Sequence, residues 1–260
     1  MKVEILKSSL SDNFFYLLHE DGNDGILIDP IDPELALATS ADLGIDVRVV
    51  LNTHSHPDHI GGNQRCLEAT GARLAAHPNA ASRVGDLDLA LIEGDELEVG
   101  GTTLVVLYTP GHTMDHISLL GGGHLICGDT VFIGGAGNCR FGGDPVTLYH
   151  TFERLRALDP DLMLCPGHDY SVRNLEFCLH IDPDNDAARQ RLARARQQPS
   201  GTLHQATLGQ EREWSPFFAC HDPALQARLE TDHPAVWAQH PSNDRAETAF
   251  VTLRTLRNAW

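Results

Sequence analysis

The sequence predicts an α/β fold in which two sheets lie face to face with helices outside, followed by a helical region without strands. Three observations predict it. Short apolar, β-branched runs come in two batches with helical spacing between them. Four of these runs end in a short turn carrying a ligand-type residue: His54, His112, Asp129 or His168. After Tyr170 no strand pattern is evident, so the expected division is residues 1–170 and 171–260.

Residues 2–6, 14–18 and 25–28 are apolar runs separated by the turn signals Ser11-Asp12-Asn13 and Asp21-Gly22-Asn23-Asp24, which predicts an antiparallel meander. Asp29-Pro30 ends the third strand. Residues 33–43 have helical spacing, with Leu35, Leu37, Ala38 and Ala41 apolar, and stop near Gly44. Residues 47–51 read as a buried strand feeding Thr53-His54-Ser55-His56-Pro57-Asp58-His59, and a helix runs on through residues 60–70. Gly61-Gly62 at its start lets backbone crowd the histidine cluster.

Residues 73–76 and 97–99 are short strands, and residues 102–108 a stronger one. It runs into the turn Thr109-Pro110-Gly111-His112-Thr113. Residues 117–120 and 125–127 pair through Gly121-Gly122-Gly123 and lead to Gly128-Asp129-Thr130. A glycine-dense loop, 133–144, precedes an amphipathic helix over 146–158 and a strand over 162–165, which ends in Pro166-Gly167-His168-Asp169-Tyr170. Helices follow at 172–180 and 187–197, then a linker at 198–204 and the aromatic anchor Trp214-Ser215-Pro216-Phe217-Phe218. The last helix, 247–258, carries Arg254 and Arg257 three apart on one face.

The formal net charge of -17 leaves no basic footprint for nucleic acid, and an anionic substrate needs a local arginine patch against the global field. Lysine occurs only at Lys2 and Lys7. Six cysteines without a CxxC pair read as reduced thiols, buried except for Cys139 in the glycine-rich loop. No apolar run is long enough to span a bilayer, and the first residues lack a leader pattern. The expected protein is cytoplasmic, with no membrane partner.

Three imidazoles and a carboxylate within six positions, 54–59, point to metal. Imidazole nitrogen and carboxylate oxygen are the ligands that zinc, iron and manganese accept. His54, His56 and His112 form a three-nitrogen set; Asp58, His59 and His168 form a mixed one; Asp129 is placed to bridge them. Two metals about 3.5–4 Å apart would share a hydroxide, since a metal lowers the pKa of water from 15.7 to roughly 7. Asp58 is read as a ligand, with general base as its alternative role. His116, four after His112, is read as an ordinary histidine, with backing of the ligands as its alternative role.

With His112, Asp129 and His168 at these separations, the His54-Ser55-His56-Pro57-Asp58-His59 motif resembles the metallo-β-lactamase superfamily. Within it the chain is similar to the glyoxalase II (hydroxyacylglutathione hydrolase) family. The matching stretches include Ser11-Asp12-Asn13-Phe14, Gly128-Asp129-Thr130-Val131-Phe132, Gly167-His168-Asp169-Tyr170, Thr207-Leu208-Gly209-Gln210-Glu211, Ser215-Pro216-Phe217 and Leu253-Arg254-Thr255-Leu256-Arg257-Asn258. The resemblance implies a four-layer αββα sandwich with a helical C-terminal substrate-binding region. It also implies two divalent metals (usually zinc, sometimes iron or manganese) and hydrolysis of S-D-lactoylglutathione to glutathione and D-lactate.

Tyr170, Arg254 and Arg257 match the family's glutathione contacts. Asn138 stands where the family has Lys, and Arg140 where it has Tyr. Gly142-Gly143-Asp144 with Leu148-Tyr149-His150 also resembles persulfide dioxygenases, which use one iron held by two histidines and an aspartate. That reading, another hydrolase of this scaffold such as a lactonase or different thioesterase, and a non-catalytic metal module are the alternatives.

Overall fold

The computed structural model describes residues 1–20, 24–199 and 201–260. The turn expected at Asp21-Gly22-Asn23 and Ser200 of the expected linker lie outside the described residues. The chain forms two compact units. The first comprises Met1–Thr109, Asp115–Gly128 and Cys165–Asp169; the second comprises Pro110–Met114, Asp129–Leu164 and Tyr170–Trp260.

In the first unit, β1 (Lys2–Lys7), β2 (Phe14–His19) and β3 (Asp24–Ile28) form the expected antiparallel meander. The sheet then turns parallel through β4 (Asp46–Leu51), β5 (Arg73–Ala76) and β6 (Leu89–Ala90). Parallel neighbours need a crossover. α1 (Pro33–Leu43) supplies the first; α2 (Pro57–Ile60) and α3 (Asn63–Thr70) supply the second, before α4 (Ala81–Val84). α1 starts where Asp32 accepts from the Leu35 N–H at 3.2 Å and stops where Gly44 takes φ 67°.

Every residue of β2 is buried, so the strand is covered on both faces. Phe15 and Leu17 pack with Leu27, Val50, Ala36 of α1 and Cys66 of α3. Tyr16 points to the opposite face, where its hydroxyl donates to the Pro166 carbonyl at 2.6 Å. The second sheet is antiparallel: β7 (Glu96–Val99), β8 (Thr102–Tyr108), β9 (Ile117–Gly121) and β10 (His124–Gly128). A strand at Met163–Pro166 follows β10 in the sheet order.

The second unit carries a small hairpin, β11 (Val131–Phe132) and β12 (Gly135–Ala136), inside what the sequence reads as loop. Its strands are two residues long, too short for any periodicity to show. α5 (Pro145–Leu155) is capped by Asp144, which accepts from the Thr147 N–H at 2.7 Å. The C-terminal region carries the helices α6 (Ser171–Ile181), α7 (Asp186–Ala195), α8 (Leu208–Trp214), α9 (Pro223–Asp232), α10 (Pro234–Trp237) and α11 (Arg245–Ala259). The helices α8, α9 and α10 are additions to the sequence reading. The expected aromatic anchor is buried, with Phe217 5.3 Å from the Phe250 ring and Phe218 4.8 Å from Phe152. No described helix is long and apolar enough to cross a membrane.

Candidate metal centre

The four strand ends behave as the sequence predicts. β4 closes at Leu51, before His54; β8 at Tyr108, before His112; β10 at Gly128, before Asp129; the strand Met163–Pro166, before His168. Strands fix these turns, so residues far apart in sequence are held on a rigid frame.

In the first unit the turn after β4 is fastened by Asp29, a residue the sequence reading passed over. Its backbone is left-handed at φ 53°, a conformation aspartate tolerates better than most residues. The 3 %-exposed carboxylate accepts from the Thr53 N–H at 2.8 Å and the Thr53 hydroxyl at 2.6 Å. It lies 2.9 Å from His59 Nδ1, so that nitrogen carries the proton and Nε2 keeps its lone pair. Only the strand-ending dipeptide Asp29-Pro30 hinted at this role.

Around His59 Nε2 the donors gather. His168 Nε2 is 3.3 Å and His59 Nε2 3.9 Å from Asp58 Oδ2. The ligand atoms of Asp58, His59 and His168 all lie within 4.8 Å of one another, as do those of Asp29, His54 and His59. His54 Nε2 faces His56 Nδ1 at 3.0 Å. The Asn13 amide reaches this group, with Nδ2 3.2 Å from both Asp58 Oδ2 and His168 Nε2. Asn13 is a second residue the sequence reading left in a turn. His116 stacks on His54 at 5.1 Å between centroids, and its Nδ1 lies 2.9 Å from the Thr109 hydroxyl. Gly128 is required there. Its φ is 46°, and a Cβ would meet the Thr53 hydroxyl at 2.7 Å and His116 Nε2 at 2.8 Å.

In the second unit His112 Nε2 lies 3.6 Å from Asp129 Oδ2, and His112 Nδ1 lies 2.6 Å from the Asn138 carbonyl, which fixes the ring. Gly137 makes this approach possible, because a Cβ would sit 2.1 Å from the Asp129 carbonyl and 2.9 Å from His112 Cβ. Glu211 anchors the hairpin. The fully buried carboxylate accepts twice from the Gly134 N–H, at 2.9 and 3.0 Å, and from Trp214 Nε1 at 2.6 Å. Burial pushes Glu211 up to about 8, with those N–H bonds pulling the other way.

Donor chemistry in the first unit fits a divalent cation, and His112 with Asp129 adds two donors of the same types in the second. Imidazole nitrogens and carboxylate oxygens converge, and the far nitrogens of His59 and His112 are engaged by Asp29 and the Asn138 carbonyl, the usual way of orienting metal-binding histidines.

The second unit also holds a cavity of about 380 Å³. All five predicted substrate residues, Asn138, Arg140, Tyr170, Arg254 and Arg257, line it. Arg173 joins them and was missed, since a lone arginine near a helix start gives no signal. Arg254 is only 5 % exposed and donates to the Ala136 carbonyl, the Gly137 carbonyl at 3.2 Å and Asn258 Oδ1 at 3.0 Å. Burial pushes it down to about 10, with Arg257 and Arg140 adding to the effect. Arg257 donates twice to Asn174 Oδ1, at 3.2 and 2.9 Å. Tyr170 is 41 % exposed and meets Phe132 edge-on at 5.3 Å.

The chain matches the metallo-beta-lactamase superfamily over residues 11–168 and the hydroxyacylglutathione hydrolase C-terminus over residues 169–260. It is 41% identical to a hydroxyacylglutathione hydrolase of Polaromonas sp. (strain JS666) and 39% identical to one of Nitrosococcus oceani, each over 95% of both chains. Among solved structures, ETHE1 from Myxococcus xanthus superposes with TM-score 0.69 at 25% identity, covering 98% of this chain and 99% of that one. TTHA1623 in a di-iron-bound form superposes with TM-score 0.59 at 26% identity, covering 84% and 100%.

Proposed function

Because the chain belongs to the metallo-beta-lactamase superfamily and, within it, to the hydroxyacylglutathione hydrolases, we propose that it hydrolyses glutathione thioesters, S-D-lactoylglutathione to glutathione and D-lactate. The proposed catalytic domain is residues 1–170, and 171–260 is the substrate-binding region. His54, His56 and His112 would hold one divalent metal, Asp58, His59 and His168 a second, and Asp129 both. The donor types suit zinc first, then iron or manganese. Bound there, the metals supply Lewis acidity toward the thioester carbonyl and toward water.

The chain's own residues do the rest. Asp29 holds the His59 proton on Nδ1, and the Asn138 carbonyl does the same for His112, so both rings present Nε2. The Asn13 amide, 3.2 Å from Asp58 Oδ2, restrains that carboxylate. The cavity lined by Tyr170 and the arginines takes the peptide part of the substrate through its carboxylates. Six free cysteines, five of them buried, support a reducing compartment, the cytoplasm.

One observation carries the reading. Six of the seven predicted donors fall in groups that could hold a metal, and the second unit also builds a guanidinium-lined cavity. The test is turnover of S-D-lactoylglutathione by metal-loaded protein, followed by loss of thioester absorbance; silence with metal bound contradicts it. A second reading, a one-iron persulfide dioxygenase, rests on Gly142-Gly143-Asp144 and the Asn138 and Arg140 departures. It requires oxygen uptake with glutathione persulfide, and no uptake removes it.

A further inference from the structure

Glu211 is a carboxyl that the proposed chemistry does not use, and it is completely buried in the second unit. A carboxyl in a core is costly unless hydrogen bonds hold it. It lies in the first turn of α8, and its main partner is 77 positions away in sequence. Both oxygens accept from the Gly134 N–H, at 2.9 and 3.0 Å, and Oε2 also accepts from Trp214 Nε1 at 2.6 Å. Gly134, with φ 72°, is the turn of the β11–β12 hairpin.

The turn is pinned from α6 as well. Cys178 Sγ donates to the Gly134 carbonyl at 3.2 Å, and Asn174 Nδ2 to the Ile133 carbonyl at 3.1 Å. The packing leaves no slack, since a Cβ on Gly135 would sit 2.6 Å from Asn174 Nδ2. The base of the hairpin is fastened separately, because Arg254 donates to the Ala136 and Gly137 carbonyls. What depends on Glu211 is therefore the turn and the strand leading into it. That strand carries Phe132, which lines the cavity and meets Tyr170 edge-on at 5.3 Å.

The Gly134 and Trp214 contacts are all received by Glu211. That pattern fits an anion, which only accepts, whereas a protonated carboxyl must aim its O–H at an acceptor. Arg191 of α7 is the cation that acts on Glu211, and Cys178 of α6 is its titratable neighbour. Burial pushes the Cys178 thiol well up, so it stays neutral, while burial pushes Glu211 up to about 8.

We propose that Glu211 is a positioning residue for substrate binding. Its carboxylate fixes the hairpin turn, the turn fixes Phe132, and Phe132 sets the cavity wall on which Tyr170 packs. The cavity then holds its ligand more tightly when Glu211 is charged. The proposal rests on the hydrolase reading for the choice of ligand, a glutathione S-conjugate.

The test is calorimetry of S-methylglutathione, which has no thioester to cleave, on metal-loaded wild type and Glu211→Gln from mildly acidic to mildly alkaline pH. The ligand's own ammonium titrates alike with both proteins, so the ratio of the two affinities isolates Glu211. Wild type should gain about fivefold over the variant, since bonds to an ionised acceptor are roughly twice as strong as neutral ones. The midpoint should lie near the Glu211 value of about 8. Bound metal should be equal in the two proteins and kcat should follow one pH profile, because Arg254 holds the hairpin base. A merely structural Glu211 gives the same deficit at every pH, and such a flat ratio overturns the proposal, as does absence of probe binding at any pH. Hydrogen exchange over residues 131–136 of the wild type needs no variant. Protection, corrected for the intrinsic rate, should rise through the same window, and constant protection counts against the proposal. Wild type that shows the pH step in binding yet never cleaves S-D-lactoylglutathione upholds this proposal and counts against the hydrolase reading.

Discussion

In the first unit, His54, His56, Asp58, His59 and His168 come together on two turns, and a buried carboxylate, Asp29, sets the orientation of one ring. In the second unit, a loop and the helices α6 and α11 bring four guanidiniums to one cavity whose described lining holds no carboxylate side chain. The first arrangement is negative and electron-donating and suits a cation; the second is positive and suits an anion. The difference teaches how a chain of net charge -17 handles an anionic substrate. Charge of each sign is concentrated locally, and its range is limited by screening, with a Debye length of about 8 Å at physiological ionic strength.

The largest expected effect breaks the first arrangement. His54→Ala should drop bound metal below the wild-type content and cut turnover by more than about a hundredfold, read by metal analysis beside the thioester assay. Asp29→Asn comes next. Losing the acceptor that holds His59 should weaken metal affinity about 10–100-fold, measured by chelator competition, while the fold persists. An unchanged affinity would mean that the Thr53 contacts, not the His59 contact, explain the aspartate.

The second arrangement should respond differently. Arg257→Met should raise KM for the glutathione thioester about tenfold and leave metal content alone. The smallest effect concerns stability. Glu211→Gln turns an amide toward the Gly134 N–H or Trp214 and should cost about 1–3 kcal/mol at pH 6 by denaturant unfolding. Burial raises the carboxyl from its ordinary value near 4.5 to about 8 in the folded chain, so the folded state holds the proton that the unfolded chain has released. Wild-type stability therefore falls as pH rises from about 4.5 to about 8 and is flat above that, and the gap to the variant narrows over the same window. A gap that widens instead would place the charged form in the core.

The sequence showed some parts of this plainly and others hardly at all. The meander, α1 with its Gly44 stop, and the four donor-bearing strand ends were readable because each follows from local pattern. The hairpin at Val131–Phe132 and Gly135–Ala136 was not, since two-residue strands have no period and glycine masks them. Asn13 and Asp29 were passed over for another reason. Their partners lie 45 and 24 positions away, and only the folded chain brings Asn13 to Asp58 and Asp29 to Thr53. Arg254 and Arg257 do line one cavity, as two cations on one helix face should. Sequence spacing placed them but could not show that Arg254 is buried against loop carbonyls while Arg257 keeps a donor in reach.

The most direct measurement is a metal titration of chelator-treated protein that follows S-D-lactoylglutathione hydrolysis against equivalents bound. The proposed two-metal centre, with Asp129 common to both sites, requires activity that climbs to a plateau at two equivalents. Full activity at one equivalent, or two bound with no hydrolysis, would contradict the account.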